Sequence, residues 1–425
     1  MPQPDQPNGH DETAPLLQRQ SSLTTRPWED ERRWVRWPGK TVYLTGKVLA
    51  TNYVNVLLVF VPLGIIAGAL HWDPTAVFIL NFVAIIPLAA LLSFATEELA
   101  AKLGQTLGGL MNATFGNAVE LIVSIVALKN GEIRIVQSSM LGSILSNILL
   151  VLGCCFLAGG IREQESTFNE TVASTMSSLM AVASASLIIP ATLYAALPGP
   201  EQKTGDHILI LSHGTAIILL LLYVLYLYFQ LKSHARLFDE EHDQEEGDEE
   251  GAEPLLQPIP ASIMLLVVTV FVAVCAEYLV DSIDSLVESG HISKTFIGLV
   301  LLPIVGNAAE HVTAVIVAYK GKMDLAINVA IGSSMQIALF VTPFMVILGW
   351  IIGQPMTLHF QGFETVVFFL SVLVVNYLIQ DGKSNYLEGA MCLGTYIIIA
   401  LAFYVYPDDA GDISSLISRF FNPHA

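Results

Sequence analysis

The chain has 425 residues, of which 53% are hydrophobic and only 13% are charged. A soluble domain of average composition carries about 25% charged residues, so the composition is that of a membrane protein and excludes an ordinary water-soluble domain. The net charge of −19 is unevenly spread, because ten acidic residues lie between Asp239 and Glu253. The acidity therefore marks one segment of a chain that is otherwise strongly apolar.

Residues 1–51 are polar, rich in proline and charged, and they are predicted to form a disordered cytosolic tail. No apolar run near the start resembles a cleaved signal peptide. The stretch from Glu12 to Leu17 resembles an acidic dileucine sorting signal for lysosomes or vacuoles. A chance match in a disordered tail explains this short pattern equally well.

Apolar runs of about 20 residues, long enough to cross a bilayer, recur from Asn52 to the C-terminus. They predict an all-α polytopic membrane protein with eleven transmembrane helices. The predicted spans are Asn52–Leu70, Pro74–Ala100, Gln105–Leu128, Glu132–Ala158, Phe168–Leu197, His207–Leu231, Pro258–Ile283, Lys294–Tyr319, Met323–Ile352, Phe360–Ile379 and Asn385–Tyr406.

Lysine and arginine residues predict the orientation of these spans. With the N-terminus in the cytosol, fourteen of the 19 basic residues fall on the cytosolic side, as the positive-inside rule requires. The same orientation makes residues 232–257 a cytosolic acidic linker or helix. It makes residues 407–425 a luminal tail.

The spans also predict an internal duplication. After a first helix at residues 52–70, five spans lie in residues 74–231 and five in residues 258–406. Five is odd, so the second set enters the membrane in the opposite sense and the two sets form inverted repeats. Without gaps, an offset of 190 positions matches these pairs: Gly108 and Gly298, Gly116 and Gly306, Gly131 and Gly321, Gly142 and Gly332, and Ser143 and Ser333.

The duplicated motif is Gly-Asn-Ala-x-Glu, which ends at Glu120 and again at Glu310. A carboxylate at membrane depth costs about 2.5–3.5 kcal/mol on insertion scales, so such residues usually serve function. Asn117 and Asn307 lie three residues earlier and share a helix face with the glutamates. The glycines around them loosen the helix and free backbone carbonyls, or they serve close helix packing.

A hard divalent cation fits these groups best. Calcium takes 6–8 oxygen ligands, and two glutamates supply four oxygens and cancel its charge. The next helix of each repeat adds polar groups, namely Ser143, Ser146, Ser333 and Gln336. The four cysteines have no ligand-like spacing and are predicted to be free thiols, while His311 is predicted to be a packing residue.

The same two glutamates are expected to carry protons. Once the cation leaves, two ionised carboxylates in a low dielectric repel each other and lack water, so they take up protons as a coupled pair. Cation and protons then compete for one site. That competition is the coupling step of an antiporter.

The stretches that begin at Gly116 and Gly306 resemble the calcium/proton (cation/proton) exchangers of fungal and plant vacuoles, within the calcium/cation antiporter superfamily. The resemblance covers residues 47–406 and implies a vacuolar transporter of Ca²⁺ and H⁺ that is not an enzyme and needs no cofactor. Manganese is a further possible substrate, since it too prefers oxygen ligands. By this resemblance Glu120 and Glu310 are the central cation ligands and proton carriers. The supporting polar residues it implies are Asn117, Asn307, Ser146, Ser333 and Gln336.

The resemblance also implies two further elements. Glu97 and Glu277, which match only with a ten-residue gap, are expected to be pathway carboxylates near the cytosolic mouth. The acidic segment is expected to attract or sense calcium, with a solvated disordered linker as the alternative. Its residues are Asp239, Glu240, Glu241, Asp243, Glu245, Glu246, Asp248, Glu249 and Glu250.

Three other functions compete with proton-coupled exchange. A sodium-coupled calcium exchanger of the same superfamily shares the fold and site, and differs in its need for sodium. An intramembrane hydrolase using Glu310 and His311 leaves the first motif unexplained. A cation sensor built on the acidic segment explains neither motif. None of these readings includes a nucleic-acid partner; the lipid bilayer is the expected environment.

Overall fold

The computed structural model describes residues 43–50, 52–196, 201–236, 255–290 and 292–406. The acidic segment Asp239–Glu253, the luminal tail and nearly all of the N-terminal tail lie outside the described residues. Two units make up the chain, Met1–Tyr53 and Val54–Ala425. In the first unit, residues 43–50 are helical.

The second unit is built almost entirely of helices. A 3₁₀-helix, Tyr53–Val59, leads into it. The helices are α1 (Phe60–Ala69), α2 (Pro74–Leu103), α3 (Gln105–Phe115), α4 (Ala118–Lys129), α5 (Ile133–Arg162), α6 (Glu170–Ala196), α7 (Glu201–Tyr228), α8 (Pro258–Gly290), α9 (Lys294–Gly306), α10 (Ala308–Tyr319), α11 (Met323–Ile352), α12 (Gly362–Leu378) and α13 (Tyr386–Val405). Two short strands, β1 (Ser166–Thr167) and β2 (Lys383–Ser384), pair antiparallel.

The predicted helical membrane fold is confirmed. Among the described residues, seven helices are long and apolar enough to cross a bilayer, or up to ten spans if each bent helix pair counts as one. Helix α12 is apolar but has only 17 residues. The count of eleven spans and the inverted repeat therefore stay predictions.

Helix ends carry the capping signals that the sequence provides. Asp73 accepts hydrogen bonds from the backbone N–H groups of Thr75 and Ala76 at 3.0 and 3.3 Å, with Pro74 at the first helical position. After α4 and α10 the chain turns at Gly131 and Gly321, whose φ angles are +80° and +85°. This left-handed backbone favours glycine, so two paired positions of the predicted repeat make the same turn.

Burial separates central from peripheral helices. In the most apolar 18-residue stretch of each helix, the share of buried residues is 67% in α5 and 61% in α2. The same share is only 28% in α7, α8 and α13. Large apolar side chains such as Ile210, Leu221 and Leu266 are exposed on the peripheral helices. In a bilayer this outer belt faces lipid, and the polar groups of the protein concentrate around α5.

One end of the helix bundle is tied by ion pairs between the two sequence halves. We call it the ion-paired end and define it by Lys129, Glu132, Arg134, Lys294 and Glu364. Lys294 Nζ lies 3.1 Å from Glu132 Oε2, and Lys129 Nζ lies 3.3 Å from Glu277 Oε1. Arg134 forms a two-pronged ion pair with the fully buried Glu364. Such a bidentate pair fixes geometry as well as charge.

Replacing Glu364 should reveal how much this buried pair stabilises the fold. In Glu364→Gln the partly buried Arg134 loses its counter-charge, so the free energy of unfolding should fall by about 3 kcal/mol. Thermal or denaturant unfolding in detergent measures the change. The control is Glu165→Gln in the exposed Lys383–Glu165 pair, which should cost less than about 1 kcal/mol. Equal losses of unfolding free energy in the two variants would show that burial adds nothing to the stability that the ion pair provides.

Next to the ion pairs, α9 packs directly against α5. A Cβ added at Gly142 would lie 2.1 Å from Leu299 O, and one added at Gly298 would lie 1.8 Å from Ser138 Oγ. The two backbones therefore meet without intervening side chains. At the paired position Gly332, an added Cβ would find its nearest atom, the Met176 Cε, 4.0 Å away. The close contact at Gly142 is therefore not repeated at Gly332.

Alanine at the two paired glycines tests this difference. Gly142→Ala should force α5 and α9 apart and destabilise the fold by about 3 kcal/mol, because a backbone carbonyl stands in the way of the new methyl group. Gly332→Ala should change the free energy of unfolding by less than about 1 kcal/mol. Denaturant unfolding of both variants gives the comparison. A more severe loss in Gly332→Ala would contradict the described contact.

Candidate ion-binding site

Both repeated motifs lie where a helix is broken. The chain bends by 45° between α3 and α4 and by 58° between α9 and α10. Asn117 and Asn307 are the residues immediately before α4 and α10, and each glutamate lies in the first turn that follows. A helix N-terminus carries unpaired N–H groups and a partial positive charge. Each break therefore places a carboxylate where negative charge is stabilised inside the bundle.

The Glu120 carboxylate lies against the other motif. A Cβ added at Gly306 would lie 2.8 Å from Glu120 Oε1, so a larger residue there would displace the carboxylate from this position. Glu120 is 7% exposed and Glu310 is half-buried, and the two carboxylates are close enough to interact electrostatically. Within the described part of the chain, Glu120 Oε1 and Glu310 Oε2 have no hydrogen-bond partner.

A chain of hydrogen bonds holds the first motif. Asn117 Nδ2 donates to Gln336 Oε1 at 2.8 Å, and Ser333 Oγ donates to Asn117 Oδ1 at 2.6 Å. Asn147 Nδ2 donates in turn to Ser333 Oγ at 3.0 Å. The structure thus brings together three of the residues named in the sequence analysis, Asn117, Ser333 and Gln336, and ties the start of α4 to the middle of α5 and α11.

Asn147 was missed by the sequence analysis, although it is 1% exposed and stands at the end of this chain of hydrogen bonds. Its partner at the offset of 190 is Ile337, so the comparison of the two repeats gave no signal there. An amide inside an apolar run, directly after Ser146, is the signal that could have found it.

Removing the central hydroxyl of this network should be costly. In Ser333→Ala, Asn117 loses a donor and Asn147 loses an acceptor, and two buried amides short of partners should lower the free energy of unfolding by about 2 kcal/mol. Denaturant unfolding in detergent measures the loss. The adjacent Ser334→Ala is the control, because that hydroxyl donates to Ala330 O of its own helix at 2.9 Å and should cost under about 1 kcal/mol. Identical losses would mean the network adds no stability.

Asn307 differs from its twin, although the two motifs match in sequence. It is fully buried, and within the described residues neither Oδ1 nor Nδ2 has a hydrogen-bond partner. A buried amide without partners is expensive unless something else binds it. Its oxygen remains available to a ligand, whereas the oxygen of Asn117 is occupied by Ser333.

Ser146 lies apart from the asparagine network. Its hydroxyl oxygen is 3.4 Å from Nε2 of His311, so the predicted packing histidine contacts a predicted ligand. Helix α5 widens into a π-helix from Ser146 to Val151, and α11 does the same directly after Gln336, from Ile337 to Val341. Such π-helical turns are frequent at functional sites.

The prediction that placed Glu97 and Glu277 together near the cytosolic mouth is wrong in its geometry. The start of α8 lies beside α2, because Leu256 N donates to Glu98 Oε2 at 2.6 Å. Glu277 lies 21 residues further along the chain, about 30 Å away at 1.5 Å per helical residue, and pairs with Lys129 at the ion-paired end. The two carboxylates therefore lie near opposite ends of the bundle, as the predicted inverted repeat would place paired positions. Their role as pathway carboxylates stays a prediction.

The site is reached unequally from its two sides. Glu120 and Asn117 are buried, while Gly116 is exposed and Glu310, Gly332 and Gln336 are half-buried. The accessible face is therefore the one away from the α5–α9 contact. In this conformation the site is sealed towards the ion-paired end.

The donors at the site are oxygens. Among the described residues there is no group of three or more His, Cys, Asp or Glu side chains with the geometry of a resident metal centre. Two carboxylates, an amide oxygen and hydroxyls match a hard cation that is bound reversibly and exchanges water for protein oxygens. They do not match a tight thiolate or imidazole site.

A known family accounts for most of the chain. The family described as sodium/calcium exchanger protein matches residues 73–232 and 261–405, which include both motifs and the helices around them. The chain belongs to this family.

Curated relatives narrow the comparison. The chain is 58% identical over 366 residues to a vacuolar calcium ion transporter of Schizosaccharomyces pombe, covering 86% of this chain and 88% of that protein. It is 45% identical to a Ca²⁺/H⁺ antiporter of Aphanothece halophytica, covering 83% and 96% of the two chains. A vacuolar cation/proton exchanger 2 of Oryza sativa is 46% identical, covering 85% of this chain and 83% of that protein.

Solved structures share the fold. Native YfkE superposes with a TM-score of 0.71 at 37% identity, covering 84% of this chain and all of that one. The H⁺/Ca²⁺ exchanger CAX superposes with a TM-score of 0.61, covering 90% of this chain and 95% of that one. At 13% identity this second likeness concerns the fold alone.

Proposed function

We propose that the protein is a secondary active antiporter that moves Ca²⁺ out of the cytosol into an acidic vacuole in exchange for H⁺. The observation that carries the proposal is the pair Glu120 and Glu310. These carboxylates sit at matched helix breaks, and one oxygen of each has no protein donor within the described residues. The vacuolar and calcium/proton names of the relatives support the same substrate, coupling ion and membrane.

Glu120 and Glu310 bind the cation, and Asn307 Oδ1 and nearby carbonyls complete its oxygen shell. Two carboxylates neutralise one divalent cation, which lowers the cost of holding charge at membrane depth. Asn117 plays a different part, because its amide is engaged with Ser333 and Gln336 and fixes the start of α4 relative to α11. Manganese fits the same oxygen donors.

Proton coupling follows from the same carboxylates. When the cation leaves, Glu120 and Glu310 repel each other in a low dielectric, and each becomes neutral by taking a proton. Cation and protons cannot be held together, because protonation removes the charge that binds the cation. The protein then carries Ca²⁺ one way and protons the other as the bundle exposes the site alternately at its two ends.

Energetics sets a lower bound on the number of protons. Moving calcium against an assumed ~10⁴-fold gradient costs about 5.5 kcal/mol. One proton moving down an assumed two pH units supplies about 2.7 kcal/mol. Two protons roughly balance one calcium ion, which matches the number of carboxylates at the site.

Calcium uptake into sodium-free proteoliposomes with an acidic interior tests the proposal. The wild type should take up calcium only while the pH gradient lasts. Glu120→Gln and Glu310→Gln should each lower uptake at least about 100-fold, since each leaves one charge for a divalent ion. Glu165→Gln, a carboxylate of similar type in an exposed ion pair, should transport at the wild-type rate.

Two results would contradict the proposal. Uptake that begins only when sodium is loaded inside would assign the protein to the sodium-coupled branch of the family. Near-normal uptake by either glutamine variant, with both proteins folded in detergent, would mean that the site has been placed wrongly.

A further inference from the structure

A small cavity opens beside Glu120, on the side of the site that faces the ion-paired end. Three serines line it, Ser124 on α4 and Ser139 and Ser143 on α5, together with Glu120 and Gly306. The rest of its wall is apolar and is formed by Ile85, Val119, Val123, Met140, Leu279, Leu302 and Val305. Ser124 follows Glu120 by one helical turn, so both face the cavity from the same side of α4. None of these three serines is bound by the network around Asn117.

The Ser124 hydroxyl is without a partner although it is buried. Its residue is 1% exposed, and within the described residues Ser124 Oγ has no hydrogen bond. Many serines and threonines of the spans donate to a carbonyl of their own helix, as Ser186 does to Val182 O at 2.9 Å. Glu120 Oε1, in the same cavity, is also without a partner. Two such buried oxygens on one wall indicate that something polar binds between them.

Ser139 offers its oxygen rather than its proton. Its hydroxyl donates to Val136 O of its own helix at 3.0 Å, which leaves the lone pairs of the oxygen for a cation or its water. Ser143 is 1% exposed and stands one turn further along α5, next to the site. The three serines therefore border the same cavity as Glu120, and we call them the serine row.

The row lies on the sealed side of the site. Ser139 directly follows Ser138, which contacts Gly298 of α9. It precedes Gly142, which contacts Leu299 of α9, by three residues. A cation that leaves Glu120 in this direction has to pass the serines once α9 lifts from α5. Calcium sheds its oxygen shell only when other oxygens replace it, and serine hydroxyls supply neutral replacements that bind weakly enough to release it.

The other half of the chain lacks these hydroxyls. At the offset of 190, Ser124 is paired with Ala314 and Ser139 with Val329, and only Ser143 has a serine partner, Ser333. On that side Glu310 and Gln336 are half-buried, although Oε2 of Glu310 is itself buried. The serine row is thus an addition to one half and not a product of the duplication.

We infer that Ser124, Ser139 and Ser143 form a release subsite, in which three neutral hydroxyl oxygens on an otherwise apolar wall take the divalent cation from Glu120 on its way to the ion-paired end. The inference rests on the proposed function, and it adds a site that acts only on the side where the cation leaves. The subsite shapes the affinity seen from the ion-paired side, where the cation leaves. It has no effect on the affinity seen from the side where Glu310 is accessible.

Side-resolved calcium kinetics in sealed vesicles with uniformly oriented protein test this inference. Initial uptake at graded external calcium reports the entry side. Initial efflux from vesicles loaded with graded calcium, driven by an external acid step, reports the release side. Ser124→Ala and Ser139→Ala should each raise the half-saturating calcium concentration of efflux about tenfold. They should change that of uptake less than twofold, and Ser186→Ala should change neither.

The possible results distinguish a failure of the proposed function from a failure of the release subsite alone. Wild-type vesicles that show no pH-driven calcium movement would overturn the proposed function, and the release subsite with it. Wild-type transport with variants that match it on both sides would overturn the subsite alone. Equal shifts on both sides, or a shift confined to uptake, would also overturn it, because a damaged fold or an entry-side ligand gives those patterns.

Discussion

The structure depends on one constraint, the need to hold two carboxylates inside an apolar bundle. A helix that crosses the bundle unbroken uses all its backbone groups and offers a buried anion nothing. Because a helix is interrupted just before Glu120 and again just before Glu310, new helix N-termini lie there at the starts of α4 and α10. Each N-terminus carries a fixed partial positive charge. Gly306 then admits the Glu120 carboxylate. Burial excludes the water that would otherwise screen the two charges from each other, so occupancy by cation or protons becomes a matter of charge balance.

The two motifs perform different tasks although they match in sequence. Asn117 is locked by Ser333 and Gln336, while Asn307 is buried with both amide atoms free of partners among the described residues. The difference follows from the positions of the neighbouring helices, since α9 is seated on α5 and the equivalent contact at Gly332 is open. A sequence duplication thus yields a site with one rigid side and one adaptable side.

The sequence predicted the helices and the repeated motifs, but it did not predict several side-chain contacts and positions around the site. The runs that predicted helices near Pro74–Ala100 and Met323–Ile352 match α2 and α11 closely, because apolar length is a strong signal in membrane proteins. The repeat comparison found Glu120 and Glu310 because both lie in the same Gly-Asn-Ala-x-Glu pattern. It missed Asn147, whose counterpart is Ile337, and Ser124, whose counterpart is Ala314. It also placed Glu277 beside Glu97, whereas the two lie near opposite ends of the bundle, because a match between residues carries no information on direction.

The contact between α5 and α9 has a further consequence for the tightness of the membrane. Gly142 lies so close to Leu299 O that no atom fits between the backbones. A leak of protons needs a continuous file of water, and a file cannot thread a junction with no gap. Charged groups at the ion-paired end, by themselves, would attract water rather than exclude it. The glycine junction beneath them excludes water at this point of the bundle, so a proton cannot cross there along a file of water.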